Sequence, residues 1–394
     1  MGIQFLSEGN FQDKKVIARF DFNVPLANGE ITDTTRIDRS LETIKHLLDS
    51  GVKKLVLMSH LGRPKGAYNE KYDLTPVASY LASKLEEEVV LTETCLDRGI
   101  KTLLGLSTNK IILLQNLRFH KEEEENDAEF ARQLASYGDI YVNDAFGSSH
   151  REHASTHGIV KHLGHRNCFA GLLLQKEIAA LTNVLETPKK PFIGIIGGAK
   201  VSDKIKIIEK LLSSVDQLLI GGAMAYPFLK AKGEEVGNSL CSDEDVILAK
   251  KILSLKTKNK LVFPEDHVAS ESLESSETTI CDEIDSEMSG LDIGPKSIAK
   301  YKSLIENAHT IIWNGPMGLF ENPLYANGTM SLAEAIAENG NAFSLIGGGD
   351  SVSAINKSGH AAKVSHISTG GGASLEYIEK GTLPGIQALK HGLS

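Results

Sequence analysis

The chain has 394 residues, which is more than one ordinary hydrophobic core holds and predicts two domains. Its composition, 41% hydrophobic and 24% charged, is that of a folded globular protein, and no run approaches the roughly 18 apolar residues of a membrane helix. The formal net charge of -9 argues against a general nucleic-acid or membrane-surface protein, although a local group of arginines could still bind an anionic substrate.

The cysteines and the N-terminal segment bear on the compartment. The four cysteines are far apart and form no CxxC pair, which fits thiols in a reducing compartment better than a disulfide frame or a zinc site. The segment MGIQFLSEGNFQDKK has neither the basic nor the apolar region of a secretory signal. We therefore expect a cytoplasmic protein with no membrane or nucleic-acid partner.

Short apolar runs alternate with amphipathic segments from one end of the chain to the other. This alternation predicts parallel sheets with crossover helices, hence an α/β fold in which ligands bind at the carboxyl ends of strands. The predicted strands are Val16–Asp21, Leu55–Ser59, Ile111–Gln115, Ile140–Asn143, Phe192–Ile196, Gln217–Ile220, Leu261–Phe263, Thr310–Trp313 and Phe343–Ile346. The predicted helices include Ile37–Leu48, Leu81–Glu88, Ile205–Leu212 and Asp245–Leu253.

Polar and basic residues follow the predicted strands of the first half. Arg19, Asp21 and Asn23 alternate along the first strand and its continuation, so they lie on one side of it. The others are Arg36 in DTTRI, His60 and Arg63 in SHLGRP, Arg118 in QNLRF and Arg151 in NDAFGSSHREHAST. Converging guanidinium groups suit bidentate recognition of phosphate or carboxylate. For each arginine alone, the alternative is an ion pair with a surface acid.

Two further patterns in the first half have simpler interpretations. His153 and His157 have the i, i+4 spacing of some metal sites, but there is no HExxH, and Arg151 lies beside them. We therefore expect these histidines to bind substrate or to position other groups. The acidic run Glu122–Glu125 predicts a solvated loop before a helix.

A long amphipathic segment separates the two halves of the chain. GLLLQKEIAALTNVLETP predicts one helix that ends before Pro188. Because strand-rich segments flank it, we interpret residues 171–188 as an interdomain helix between a first domain, 1–170, and a second, 189–375. Its Glu177 is expected to be solvated, the alternative being a partner across the domain interface.

The second half opens on PFIGIIGGAKVSDK. A buried strand is followed by Gly197 and Gly198, which permit a tight turn, and then by a helix for which Ser202 or Asp203 is the predicted cap. Lys200 lies in the turn and Lys204 in the first turn of the helix. A helix N-terminus with two ammonium groups suits a phosphate chain. The alternative is an ordinary turn with solvated lysines.

Similar glycine turns recur at the ends of later strands. They contain Gly221 and Gly222, Asn314 to Pro316, Gly347 to Gly349, and Gly370 to Gly372. Asp350 follows one of these turns, and a lone carboxylate beside free N–H groups suits a Mg²⁺ ion that carries nucleotide phosphates, although it could also be a helix N-cap. Glu321 could accept hydrogen bonds from ribose hydroxyls. The chain lacks both G-x-x-x-x-G-K-[ST] and G-x-G-x-x-G, which disfavours a P-loop NTPase and a standard dinucleotide-binding dehydrogenase.

Taken together in chain order, these motifs resemble the phosphoglycerate kinase family. The segments that carry the resemblance are RFDFNVPL, SHLGRP, NLRF, NDAFGSSHREHAST, GGAKVSDKI, WNGPMGLFE, GGGDSVSA and STGGGASLE, and they span essentially the whole chain. The resemblance implies reversible, Mg²⁺-dependent phosphoryl transfer between ATP and the carboxylate of 3-phosphoglycerate, a step of glycolysis and gluconeogenesis that gives ADP and 1,3-bisphosphoglycerate. It also implies a monomer with two doubly wound, Rossmann-like domains that close about a hinge.

The resemblance also assigns the site residues. The implied phosphoglycerate-binding residues of the first domain are Asp21, Asn23, Arg36, His60, Arg63, Arg118 and Arg151. The implied nucleotide-binding residues of the second domain are Lys200, Lys204, Gly222, Gly315, Glu321, Gly347, Gly348, Gly349, Asp350 and Ser351, with Asp350 associated with the metal. The C-terminal tail, 376–394, is expected to pack on the first domain. The departures from the family pattern are Gln115 for Glu, Ala223 for Gly, Ser351 for Thr and Glu152 for a small residue.

The implied chemistry needs no general base, because a carboxylate nucleophile is already deprotonated. Positioning and charge stabilisation then carry catalysis, and we assign Arg36 and Lys200 to the transferring group. Two alternatives remain at this point. An NAD-linked oxidoreductase would also use glycine turns, and a catalytically inactive nucleotide-binding scaffold would share the fold.

Overall fold

The protein is described by a computed structural model over residues 2–393. These residues form two compact units. One contains the residues up to Ala179 together with those from Thr382 onward, and the other is Ala180–Gly381. Within the described residues, no helix combines the length and the apolar character that a bilayer crossing requires.

The first unit contains a six-stranded parallel sheet and a short hairpin. Its strands are β1 (Lys15–Arg19), β2 (Leu26–Ala27), β3 (Glu30–Ile31), β4 (Lys54–Met58), β5 (Val89–Leu91), β6 (Ile111–Leu113), β7 (Ile140–Asn143) and β8 (Cys168–Ala170). Its helices are α1 (Thr35–Asp49), α2 (Thr75–Leu85), α3 (Arg98–Gly105), α4 (Lys121–Glu124), α5 (Ala128–Ala135) and α6 (Ile159–Leu163). The sheet order is β5-β6-β4-β1-β7-β8, so the strand order reverses between β1 and β7.

Helix α7 (Leu172–Glu186) connects the last strand of this sheet to the first strand of the next. Its start is held by Asp144, which follows β7 and is fully buried. Asp144 Oδ1 accepts a hydrogen bond from Leu174 N at 3.1 Å, while Oδ2 has no partner within residues 2–393. Burial raises the pKa of Asp144 to about 7, against hydrogen bonds that include one from Thr43. Glu177, which the sequence predicted to be solvated, is fully buried.

The second unit repeats the architecture. Its strands are β9 (Phe192–Ile196), β10 (Gln217–Ile220), β11 (Leu261–Val262), β12 (His267–Ser270), β13 (Thr279–Cys281), β14 (Ser289–Ile293), β15 (Thr310–Asn314), β16 (Phe343–Ile346) and β17 (His366–Ile367). Its helices are α8 (Ile205–Leu212), α9 (Ala225–Lys232), α10 (Asp243–Leu253), α11 (Pro295–Glu306), α12 (Asn327–Glu338), α13 (Gly349–Lys357) and α14 (Gly372–Lys380).

The order of the second sheet is β11-β10-β9-β15-β16-β17, which is the 3-2-1-4-5-6 order of dinucleotide-binding folds. The order of the strands reverses between the parallel strands β9 and β15, and this switch point is where ligands bind in such sheets. The α/β prediction with two doubly wound parallel sheets is therefore confirmed. The short edge strands β5, β8 and β17 were not predicted from the sequence, and neither was the separate antiparallel sheet of β12 to β14.

The chain ends with α15 (Pro384–His391), which belongs to the first unit. Gly385 N donates a hydrogen bond to Ser149 O at 2.9 Å, and an added Cβ at Gly385 would lie 3.2 Å from Ser149. Helix α14 still belongs to the second unit, and the chain returns to the first unit at Thr382.

Candidate active site

The carboxyl ends of β1 and β4 bring together several of the candidate residues. Asp21 Oδ2 accepts from Arg36 Nη1 at 2.9 Å, an ion pair in which the Arg36 side chain remains 38% exposed. Asn23 Oδ1 accepts from Gly62 N at 2.8 Å. Arg36 lies in the first turn of α1, so the start of this helix, the segment after β1 and the loop after β4 form one connected surface.

Arg118 joins the same surface from the segment after β6. Its Nη1 donates to Gly62 O at 3.0 Å, and its Nε lies 3.3 Å from Glu124 Oε1. Asn116, which is fully buried, holds the β4 loop through Nδ2 to Leu61 O at 2.7 Å and Oδ1 from Leu61 N at 3.2 Å. Burial lowers the pKa of Arg118 from its ordinary value, and Glu124 opposes this shift.

Arg63 and Arg151 differ from Arg36 and Arg118 because they are exposed. Within residues 2–393 neither guanidinium makes a hydrogen bond or an ion pair, so both remain available to an anion from solvent. The alternative of an ion pair with a surface acid therefore holds for Arg118, which pairs with the exposed Glu124. Arg36 instead pairs with Asp21, which is buried and is itself a predicted site residue.

His60 is almost fully buried, and its hydrogen-bond partner, Arg19, was not among the predicted site residues. Arg19 Nη2 lies 3.1 Å from His60 Nδ1, and Arg19 Nε donates to Ser155 Oγ at 2.8 Å. Ser155 in turn donates to Glu123, through Oγ at 2.6 Å and through its backbone N at 3.0 Å. Burial first, and then the neighbouring Arg19, lower the pKa of His60 well below its ordinary value.

The prediction of a solvated acidic loop at Glu122–Glu125 is wrong at Glu123. Lys121–Glu124 form the helical turn α4, and Glu123 is fully buried. Burial raises the pKa of Glu123, while Arg19 and the hydrogen bonds from Ser155 lower it. The available sequence signal was Arg19 itself, a charge within the apolar run VIARF that needs a buried partner.

In the second unit, the turn after β9 is closed by Lys204 instead of a hydroxyl or carboxylate cap. Lys204 is the N-cap residue of α8, without a side-chain cap bond, so the prediction of Ser202 or Asp203 as cap is wrong. Lys204 Nζ donates to Gly197 O at 2.7 Å and to Asn314 O at 3.3 Å. Burial lowers the pKa of Lys204 to about 8, and the nearby Asp350 opposes this shift.

The glycines of these turns are required by close approach. Gly315 has φ +99°, and a Cβ there would lie 2.1 Å from Gly197 O and 2.6 Å from Lys204 Nζ. Gly222 has φ +66°, and its Cβ would lie 2.7 Å from Gly198 N. Gly315 N donates to Ser351 Oγ at 2.5 Å, so the serine hydroxyl secures this turn. The ends of β9, β10 and β15 consequently approach one another closely, and the Lys204 ammonium group joins the ends of β9 and β15.

The turn after β16 completes the arrangement. Gly347 O accepts from Asn314 Nδ2 at 2.7 Å, and Gly348, with φ +88°, is the N-cap residue of α13. Gly349 and Asp350 are exposed in the first turn of this helix. Asp350 therefore does not cap its helix, which was the alternative left open by the sequence.

A cavity of about 570 Å³ opens beside these turns, inside the second unit. Its lining includes Ala199, Gly222, Leu291, Glu321 and Asp350. Most of the lining is aliphatic or glycine, with the antiparallel sheet contributing one wall through Ser289 to Leu291. A pocket of this size and character suits a nucleoside, with Glu321 and Asp350 as its carboxylates. Lys200 is exposed and is not part of the lining.

The departure at Gln115 has a structural explanation. Gln115 Nε2 donates to Asp73 Oδ2 at 2.8 Å, and Oε1 accepts from Leu74 N at 3.0 Å and Asn116 N at 2.8 Å. A neutral amide can donate to Asp73, which a glutamate could do only when protonated. Gln115 thereby braces Asn116, which holds the loop after β4.

Comparison with known proteins finds matches that extend over nearly the whole chain. The family model described as phosphoglycerate kinase matches residues 6–381. The chain is 50% identical to phosphoglycerate kinase of Acidobacterium capsulatum (95% of this chain, 96% of the relative) and 47% identical to that of Dictyoglomus turgidum (98% of each). It is also similar to the solved structure of phosphoglycerate kinase from Coxiella burnetii, with TM-score 0.89, 39% identity and 98% of both chains covered. The structure from Pyrococcus horikoshii OT3 matches with TM-score 0.83, 32% identity and the same coverage.

Proposed function

The chain belongs to the phosphoglycerate kinase family, and on this premise we propose that it transfers a phosphoryl group reversibly between ATP and the carboxylate of 3-phosphoglycerate. Enzymes of this family are kinases with a carboxyl group as acceptor. The products would be ADP and 1,3-bisphosphoglycerate. The observation that carries the proposal is the pair of sites at the carboxyl ends of the two sheets. One is bordered by Arg36 and Arg118, and the other by glycine turns with Lys204 and Asp350.

The first unit would bind 3-phosphoglycerate. Arg63, Arg118 and Arg151 would hold its phosphate, because planar guanidinium groups bind phosphate oxygens in pairs. Asp21 and Asn23, with His60, would orient the remainder of the substrate; the Asp21 carboxylate can accept from a hydroxyl. These assignments are supported by the two uncommitted guanidinium groups of Arg63 and Arg151.

The second unit would bind the nucleotide. The cavity would hold the nucleoside, with Glu321 accepting from the ribose, and the turns at Gly222, Gly315 and Gly347 to Ser351 would let the backbone approach the phosphates. Lys204 would provide a positive charge at the phosphate chain. Burial lowers the pKa of this ammonium group to about 8, and bound phosphates would favour its charged form.

The residues present fit Mg²⁺ that arrives with the nucleotide. Among residues 2–393 no group of three or more acidic, histidine or cysteine side chains could hold a metal. Mg²⁺ is commonly bound through one or two carboxylates together with substrate phosphates, and Asp350 provides an exposed carboxylate at the start of α13. The ion would neutralise charge on the phosphate oxygens.

Catalysis would come from positioning and charge. Arg36 and Lys200 would stabilise the charge that is spread over the transferring phosphoryl group, Arg36 from the first unit and Lys200 from the second. Since the two sets of residues belong to different units, in-line transfer would require closure about a hinge, which would also exclude water from the acyl phosphate. We further propose that the protein acts as a monomer, because one chain supplies both the phosphoglycerate-binding and the nucleotide-binding residues. We also propose that it acts in the cytoplasm.

The proposal is tested by trapping acyl phosphate with hydroxylamine from purified protein, Mg-ATP and 3-phosphoglycerate. We expect trapped product that requires every component. A protein that binds ADP but yields no product would support a nucleotide-binding scaffold or another acceptor acid. Binding of NADH in place of ADP would support the oxidoreductase alternative.

A further inference from the structure

A chain of buried polar groups lies beneath the candidate substrate-binding surface of the first unit. It runs from His60 to Arg19, from Arg19 to Ser155, and from Ser155 to Glu123. Arg19, Ser155 and Glu123 are fully buried, and His60 is 5% exposed. Tyr141 holds the far side of this chain by donating from its hydroxyl to Ser155 O at 2.8 Å.

The direction of each hydrogen bond follows from the chemistry of its partners. Arginine has donors only, so at 3.1 Å from Arg19 Nη2 the His60 Nδ1 atom must accept through its lone pair. A neutral imidazole with an unprotonated Nδ1 carries its proton on Nε2. Within residues 2–393 His60 Nε2 has no hydrogen-bond partner, and it is not among the fully buried unpaired atoms. His60 therefore has one open donor.

Arg19 and Glu123 each need the other, because a buried charge without compensation is costly. Ser155 lies between them: Oγ accepts from Arg19 Nε and donates to Glu123 Oε1, while the Ser155 backbone N donates to Oε2. Both carboxylate oxygens are thus occupied. The third anchor of Arg19 is a hydrogen bond from Nη1 to Phe20 O.

The other charged and titratable groups around His60 act in the same direction. Arg19, Arg118, Arg36 and His153 all lower the pKa of His60, after burial, which is the largest cause. His153 Nδ1 lies 3.8 Å from Glu123 Oε1, and its own pKa is lowered to about 3 by burial and the neighbouring arginines. Around neutral pH both imidazoles are consequently uncharged.

We propose that Glu123 and Ser155 are positioning residues that act through Arg19 to hold His60 as the Nε2–H tautomer. His60 then presents a hydrogen-bond donor to the anionic substrate; that contact rests on the proposed function. If Arg19 lost its support, the proton could reside on Nδ1, and Nε2 would face the anion with a lone pair. One lost donor of this kind corresponds to about a tenfold loss of substrate affinity.

The experiment compares Ser155→Ala with Ser297→Ala. Ser297 is a matched control in the second unit, since it is also fully buried and donates from Oγ to the buried carboxylate of Asp266 at 2.6 Å. Histidine ¹⁵N spectra of the full chain, with His60 assigned from a His60→Asn variant, report the tautomer without any substrate. Steady-state kinetics then give KM for 3-phosphoglycerate and for ATP.

We expect Ser155→Ala to move the His60 ring nitrogens toward a mixture of tautomers and to raise KM for 3-phosphoglycerate about tenfold, with KM for ATP unchanged. Ser297→Ala should lower stability without either effect. Should Ser155→Ala fail to fold, Glu123→Gln replaces it, with the same expectation. A His60 spectrum that matches the unmodified protein overturns the proposal. An altered tautomer in a chain without kinase activity would instead uphold the positioning role and refute the proposed function.

Discussion

The lowered pKa of Lys204 leads to a specific prediction about pH and nucleotide binding. Lys204 is desolvated beside the Gly197 and Asn314 carbonyl groups, and its pKa falls from 10.5 to about 8. Only the ammonium form attracts phosphate. Raising the pH through 8 therefore removes the positive charge from the empty site, and affinity for Mg-ADP should decrease.

The magnitude follows from the fraction of protein that carries the ammonium group. With a pKa of about 8, that fraction is about 90% at pH 7 and about 10% at pH 9. If the neutral form binds negligibly, the apparent dissociation constant increases by the same ratio, about tenfold, which is about 1.4 kcal/mol. An ordinary lysine, with pKa near 10.5, would give almost no change over this range.

Isothermal titration calorimetry at pH 7 and pH 9, at fixed Mg²⁺, measures this ratio. The variant Lys204→Met removes the charge while keeping a side chain of similar length, and it should bind weakly with little pH dependence. Ionisation of the nucleotide itself is common to both proteins and cancels in the comparison. Equal pH dependence in the two proteins would refute either the desolvation of Lys204 or its contact with phosphate.

Four further outcomes are expected. Lys200→Ala should lower kcat by roughly 10³–10⁵ with ADP binding nearly retained, measured by kinetics and calorimetry, because its charge would act in the transition state. Arg63→Ala should mainly raise KM for 3-phosphoglycerate, since its guanidinium is uncommitted. Gly315→Ala should destabilise the protein by more than about 1 kcal/mol in urea unfolding, because its Cβ would lie 2.1 Å from Gly197 O. The pKa of Asp144 is raised to about 7 in the folded protein, so the unmodified protein should lose stability as pH rises from about 4 to 7. Asp144→Asn should abolish this loss.

Each of these outcomes has a clear contradiction. ADP binding lost in proportion to rate would make Lys200 a ground-state ligand, and an unchanged KM in a folded Arg63→Ala protein would remove Arg63 from the site. Gly340→Ala serves as control for Gly315→Ala, because nothing lies within 4 Å of its Cβ. For Asp144, the folded state binds more protons than the unfolded state between the two pKa values, so stability must fall with rising pH; a rise there would contradict the assignment.

Local sequence patterns were sufficient for the central strands and most helices. The bounds of β7, β9, β10 and β16 agree with the predicted ones, because buried apolar runs bordered by glycine or polar residues are unambiguous at this length. The edge strands β5, β8 and β17 have two or three residues each, too few for a period to be recognised. The glycine turns after β9, β10, β15 and β16 were likewise visible, since turn chemistry is local.

Local sequence patterns specify the α/β class, the alternation of strands and helices, and the positions of charged and glycine-rich segments at strand ends. Which of these charges are buried, and what they contact, follows only from the packing of distant segments. Glu123 stands among four consecutive glutamates and has no local sign of burial, yet it is fully enclosed. Its environment depends on Ser155 and Arg19, which are distant in sequence, and the protonation of His60 depends on the same contacts. A local pattern predicts which secondary structure a segment prefers, whereas the desolvation of a charged side chain depends on the whole packed fold.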